Sequence, residues 1–375
     1  MSQQPLNSKA NVSKALKYIS HLFRMTMGLV FIASGFVKAI DPWGTMIKVD
    51  EYMMIYGWEW LIPHSLVFSI WLCGAELMMG LMLTFKVRIR FVSIFALLSM
   101  TIFTVVAFLS ATVLPVEDCG CFGEAFKLTP WQTFFKNLAL LPMAFTVFWR
   151  YRPDKIFLFK RVELILAATF FSFSMGLATY CYRHLPLIDY LPYRVGVNLP
   201  QAIADAKSGS GSDVDTEVVL VYRNIKTGKL RNFTLEDKEW HNAEKWEWVE
   251  TVVADEEPDV KALIGEFSLR DRDGNERTDE ILATKGNLHI LFVASFRQMG
   301  AECDSNFRRF IERAKANGDR VITVTPGYIS KRANYMGVES YNIDPTTMKT
   351  ALRANYGVIS LKDGVIYDKR NCRDM

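Results

Sequence analysis

The sequence predicts an α-helical polytopic membrane bundle joined to an α/β domain outside the cytoplasm. Three observations predict it. Five apolar runs, each about as long as a bilayer-crossing helix, fill residues 23–180. Charge is unevenly spread: residues 1–180 hold 16 Lys/Arg and 10 Asp/Glu, whereas residues 181–375 hold 28 and 30. From Ile264 onward, short apolar strand-like runs alternate with helical periodicity. This pattern excludes disorder, a collagen-like fibre and one uniform globule. The net charge of +4 comes from short loops in the first half, which argues against nucleic acid as a partner.

The five runs are 23–40, 65–85, 91–114, 131–149 and 162–180. The first follows a polar tail (1–22) and lacks a small-residue cleavage site, so it reads as a span and not as a signal peptide. Basic residues cluster before the first run (Lys9, Lys14, Lys17, Arg24), between the second and third (Lys86, Arg88, Arg90), and between the fourth and fifth (Arg150, Arg152, Lys155, Lys160, Arg161). The positive-inside rule then predicts a cytoplasmic N-terminus, and five spans put residues 181–375 on the opposite side. The expected location is a bacterial inner membrane with the C-terminal domain in the periplasm. The expected partners are the lipid bilayer and an envelope protein.

The domains expected are a tail (1–22), a four-helix membrane domain (23–150), a cytoplasmic loop with a fifth helix (151–182), a linker (183–216), a hairpin with an acidic, Trp-rich segment (217–261), and an α/β domain (262–375). Lys226-Thr-Gly228 is the hairpin turn, and Lys362-Asp-Gly364 a second one.

Cys119-Gly120-Cys121 falls in the loop after the third run. Two thiols one residue apart close a small ring that Gly120 makes accessible, and such disulfides are labile. The alternatives are a metal half-site or two free thiols. A zinc site needs further Cys or His ligands that this loop does not offer. The five histidines, His21, His64, His184, His241 and His289, form no metal set. Glu76 lies in the middle of the second run and Lys38 at the end of the first. A carboxylate there reads as a proton relay or as half of a structural ion pair. Gly28, Gly35, Gly74 and Gly80 are expected at close helix contacts, with Cys73 as a packing residue.

The segments Ser34-Gly-Phe-Val-Lys38, Gly74-Ala-Glu-Leu-Met-Met-Gly80, Asp118-Cys-Gly-Cys-Phe-Gly123 and Trp131-Gln132 together resemble the DoxX/MauE group of four-helix membrane proteins over about residues 20–150. That resemblance implies disulfide and quinone redox, and an architecture distantly similar to DsbB and vitamin K epoxide reductase. The pair here is Cys-x-Cys, not the Cys-x-x-Cys of DsbB. The residues themselves specify no cofactor; the resemblance implies a quinone.

Strand–helix–strand followed by helix–hairpin over about residues 262–370 resembles the TlpA/peroxiredoxin branch of thioredoxin-like domains. No Cys-x-x-Cys opens its first helix, and Asn355-Tyr-Gly357 stands where such domains carry a proline. Cys303, at the start of that helix, has three readings: a mixed disulfide with Cys119 or Cys121, a bond to Cys372, or a buried free thiol. Cys181 is a weaker candidate.

Two functions follow. One is a membrane thiol–disulfide oxidoreductase using Cys119, Cys121 and Cys303, with Glu76 and Lys38 in the membrane. The other is a non-catalytic envelope assembly subunit whose degenerate thioredoxin-like domain binds a partner.

Overall fold

The computed structural model describes residues 5–113, 120–123, 125–151, 161–209, 218–224, 230–233, 245–253, 264–326 and 335–375. Cys119 lies outside the described residues. The helices of the first half are α1 (Pro5–Ile40), α2 (Pro42–Ile55), α3 (Ser65–Thr84), α4 (Ile89–Thr112), α5 (Pro130–Tyr151) and α6 (Arg161–Arg183).

Helices α1 and α3 pack backbone to backbone because glycine lines their contact. A Cβ on Gly35 would lie 2.4 Å from the Leu77 nitrogen, and one on Gly80 would lie 2.5 Å from the Ile32 nitrogen. Gly74 instead faces the flexible Met175 side chain of α6. At the far end of α3, the Arg24 guanidinium donates to the carbonyls of Leu83 and Thr84. A cation there satisfies carbonyls that the helix end leaves open.

Four segments are long and apolar enough to cross a membrane: Leu16–Ile40, Glu59–Thr84, Ile89–Thr112 and Arg161–Arg183. The fourth expected span, 131–149, is corrected to this extent. Its helix forms as α5, but it is less apolar than the others. It carries Gln132, Lys136, Asn137 and Pro142, and its inward face (Thr133, Asn137, Leu140, Ala144, Val147, Tyr151) mixes polar with apolar side chains. Helix α5 still runs the length of α4. Phe134 meets Phe108 near one end, and Tyr151 meets the Lys86 ammonium at the other.

Helix α2 was not foreseen. Asp41 caps it by accepting a hydrogen bond from the Gly44 N–H at 2.9 Å, and Pro42 occupies its first turn.

In the second half, α7 (Leu199–Gly209) precedes a three-stranded antiparallel sheet of β1 (Val218–Asn224), β2 (Leu230–Phe233) and β3 (Trp246–Val253), ordered β2-β1-β3. Strands β1 and β2 pair antiparallel; the expected turn Lys226-Thr-Gly228 lies outside the described residues. The Trp-rich segment ends as strand β3, because Trp246-Glu-Trp-Val-Glu-Thr-Val-Val253 supplies strand-forming residues. There follow α8 (Thr278–Leu282), β4 (Asn287–Val293), α9 (Ala301–Ala316), β5 (Arg320–Pro326), β6 (Glu339–Ile343), α10 (Pro345–Leu352), β7 (Tyr356–Lys362) and β8 (Val365–Asn371). They form a mixed sheet ordered β6-β5-β4-β7-β8, in which β4, β5 and β6 run parallel and β7 pairs antiparallel with both β4 and β8. Asp363 and Gly364 turn the last hairpin with positive φ values of 49° and 82°.

The stretch read as a linker is largely packed. Tyr193, Leu199, Ile203 and Ala206 join Phe267, Leu269, Ile290 and Ile359 in one core. Their apolar spacing is too sparse to announce a helix.

His289 of β4 is buried; its Nδ1 lies 2.8 Å from Ser360 Oγ and its Nε2 3.4 Å from Asp319. Burial lowers its pKa below the ordinary imidazole value, against the pull of Asp319. The unfolded chain therefore binds the proton first as pH falls, so this site weakens the fold from about pH 6.5 downward. Thermal unfolding between pH 7.5 and 5 is expected to show a falling midpoint, and His289→Gln is expected to flatten that slope.

Candidate functional site

The close approach at Gly35 has a consequence one turn along α1. It sets the Lys38 ammonium 2.6 Å from the Glu76 carboxylate, both side chains almost fully buried. Lys38 also lies 5.9 Å from the Phe103 ring centroid. The two intramembrane residues singled out in the sequence are thus brought together as an ion pair.

Beside the pair is a cavity of about 210 Å³. Its walls include Phe31, Met100, Phe103 and Leu140, and Cys121 and Gly120 line it from the loop. Gly120 takes a left-handed φ of 59°, and an added Cβ would lie 3.3 Å from Lys48 of α2. Ser34 Oγ donates to the Cys121 carbonyl, and the Lys136 ammonium sits 4.6 Å from the Phe122 ring centroid. The loop is therefore held on α1, α2 and α5. Cys121 is a free, half-buried thiol.

Sequence reasoning missed two residues of the cavity. Thr133 Oγ1 and Asn137 Nδ2, a helical turn apart on α5, line it as buried polar atoms without a hydrogen-bond partner among the described residues. Buried polar groups are almost always paired. A Thr-x-x-x-Asn spacing inside an apolar run was the available signal. Leu72 of α3 and Ile102 of α4 line the cavity and are also exposed on the bundle surface, 37% and 50%. These two side chains carry that wall of the cavity to the bundle surface.

The α/β domain sits on the same end of the bundle. Arg353 Nε lies 3.2 Å from Asp41 Oδ2, with the Arg353 side chain 2% exposed. Asp374 meets His184 at 2.5 Å, and Arg373 donates to the Arg183 carbonyl at 3.2 Å. The Lys369 ammonium lies 2.6 Å from Asp189; burial lowers its pKa, and Asp189 works against that shift.

Cys303 is bonded to Cys372, with Cα atoms 5.1 Å apart. Of the three readings, the structure has the second. Cys73 and Cys181 are fully buried free thiols within the helices. Among the described residues, no group of three or more His, Cys, Asp or Glu could hold a metal ion.

Residues 16–150 match the family model for methylamine utilisation protein MauE. The MauE match takes in the Lys38–Glu76 pair, the cavity and the Cys-Gly-Cys loop. It covers well under half of the chain, and the whole α/β domain lies outside it. No curated protein and no solved structure is significantly similar to the chain.

Proposed function

We propose that this chain is an integral membrane thiol–disulfide redox protein whose Cys119-Gly120-Cys121 loop exchanges disulfides with a client protein. The observation that carries the reading is the seating of Cys121 on an apolar cavity that also holds a buried ion pair and two unpartnered polar atoms. Exchange proceeds by attack of a thiolate on a disulfide sulfur through a mixed disulfide. Positive φ at Gly120 lets the loop bend tightly between its two cysteines. The hydrogen bond from Ser34 holds the backbone of Cys121 in place while its sulfur changes partners. Lys38 and Glu76, within the same cavity, are the groups that hold or pass a proton there.

The cavity fits a quinone. Asn137 Nδ2 and Thr133 Oγ1 are donors without acceptors among the described residues, the walls are apolar, and Leu72 and Ile102 carry one wall to the bundle surface. Asn137 and Thr133 would hold the ring oxygens. Bound there, a quinone supplies a two-electron, two-proton acceptor.

The orientation proposed is five spans, with the N-terminus in the cytoplasm and the loop and α/β domain in the periplasm of a bacterial inner membrane. Helix α5 supports this by matching α4 end to end. Arg24, Lys86 and Arg150 share the end remote from the loop, as the positive-inside rule asks. The α/β domain is read as thioredoxin-like, on the strength of the β5-β4-β7-β8 order with α9 and α10 as its connections.

In whole cells, Cys119→Ser and Cys121→Ser are each expected to leave client thiols reduced, read by alkylation and gel shift. Client thiols that stay as oxidised as in wild type would sink the reading. The competing accessory-subunit reading is favoured by the lack of a Cys-x-x-Cys in residues 262–375. It expects loop thiols that never oxidise.

A further inference from the structure

We propose that the Cys303–Cys372 disulfide is a second redox centre and the in-chain exchange partner of the Cys121 loop. This rests on the redox reading of that loop.

Position in the sheet is the first argument. Strands β4 and β8 point the same way, since each is antiparallel to β7. Cys303 lies in the first turn of the helix after β4, and Cys372 directly follows β8. The disulfide therefore sits at the carboxyl edge of these strands, the edge where open α/β sheets place their chemistry.

That edge is turned toward the helical bundle. Arg353, Arg373 and Asp374, which dock the domain, all lie on it. Between the two parts is a cavity of about 80 Å³, whose lining includes both disulfide cysteines, Trp43 of α2 and Tyr182 of α6.

One helix joins the two sulfur centres. Trp43, at the start of α2, lines the disulfide cavity, and Thr45 and Lys48, further along α2, line the cavity of Cys121. Lys48 also packs under Gly120. Five residues of helix advance about 7.5 Å. The disulfide and the Cys121 loop thus lie against the same short helix, on faces about 140° apart around its axis.

Chemistry favours Cys303 as the leaving sulfur. It stands in the first turn of the 16-residue helix α9, whose N-terminus stabilises a thiolate. The neighbouring Asp304 carboxylate is taken up by Arg308 at 2.7 Å and by the Tyr335 hydroxyl at 2.6 Å.

The exchange is balanced within the chain. The Cys121 thiolate attacks Cys372 Sγ, a Cys121–Cys372 bond forms, and Cys303 leaves as the thiolate. Cys119 then attacks Cys121 Sγ and releases Cys372. The loop loses two electrons and two protons and becomes the Cys119–Cys121 disulfide. The domain gains them as two thiols. The reverse sequence, in which Cys372 attacks Cys121 of the oxidised loop, Cys119 leaves and Cys303 resolves the mixed bond, oxidises the domain and is the direction that client oxidation requires.

The test uses the full-length protein in membranes. Cys119→Ser with Cys303→Ser leaves Cys121 and Cys372 as the only exchange-competent pair. Mild oxidation is expected to link them, seen as a reductant-sensitive Cys121–Cys372 peptide by mass spectrometry. If Cys372 remains alkylatable while Cys121 reacts with added thiol reagents, the inference fails. Cys303→Ser with Cys372→Ser is the second variant, with thermal unfolding as its folding control. A folded variant whose client oxidation drops tenfold or more supports the proposal. A folded variant with wild-type client oxidation, while Cys119→Ser loses it, overturns the exchange but leaves the proposed function standing. If neither variant alters client oxidation, both readings fail.

Discussion

Glu76→Leu is expected to destabilise the bundle by about 3–5 kcal/mol, the cost of leaving one partner of a buried ion pair alone. Lys38 is fixed beside Glu76 by the contact of α1 with α3, and its ammonium is nearly sealed from solvent. Its remaining neighbours include Phe103 and the apolar walls of the cavity, which do not replace a carboxylate. Lys38→Met added to Glu76→Leu is expected to restore most of the loss, because two apolar groups of similar size need no counter-charge. Thermal unfolding in detergent reads both effects. The same pair of variants separates structure from chemistry. If the double variant is stable and still oxidises clients at the wild-type rate, Glu76 and Lys38 only hold helices together. If it is stable and inactive, they act on protons in the cavity.

Arg353→Gly is expected to weaken docking of the α/β domain by a similar 3–5 kcal/mol. Arg353 occupies the left-handed position that ends α10, with φ 55°. Glycine adopts that conformation without strain, so the substitution removes the charge and not the turn. Asp41 keeps its hydrogen bond from the Gly44 N–H but loses its cation. Hydrogen exchange of the α2 amides is the measurement: protection over Pro42–Ile55 should fall, while β4 and β7 stay protected. Unchanged protection on α2 would mean that the other docking contacts, His184 with Asp374 and Arg373 with the Arg183 carbonyl, suffice. Exchange between the two sulfur centres, if it depends on docking, should fall with it.

How much of this was legible beforehand differs element by element. Long apolar runs, broken in α3 by Glu76 alone, announced α3 and α4 because the cost of charge in hydrocarbon is local and additive. Helix α5 was legible as a helix but not as a wall of a cavity. Thr133 and Asn137 look like two tolerated polar residues until their missing partners are seen. Helix α2 has no clean apolar stripe; a capping aspartate followed by proline was its only mark. Tyr193 and Leu199 looked like linker because their partners, Phe267 and Ile359, lie far along the chain.

By itself the sequence determined the membrane-crossing character of the first half and, in the second, the run β4-α9-β5 and the run α10-β7-β8. Those properties rest on hydropathy and periodicity, which act over a few residues at a time. Only the tertiary structure decided that Lys38 meets Glu76, that Cys303 bonds Cys372, and that Arg353 reaches Asp41. Each of these joins side chains remote in sequence, and which pairs meet is set by how whole helices and sheets pack, a choice that no local pattern encodes.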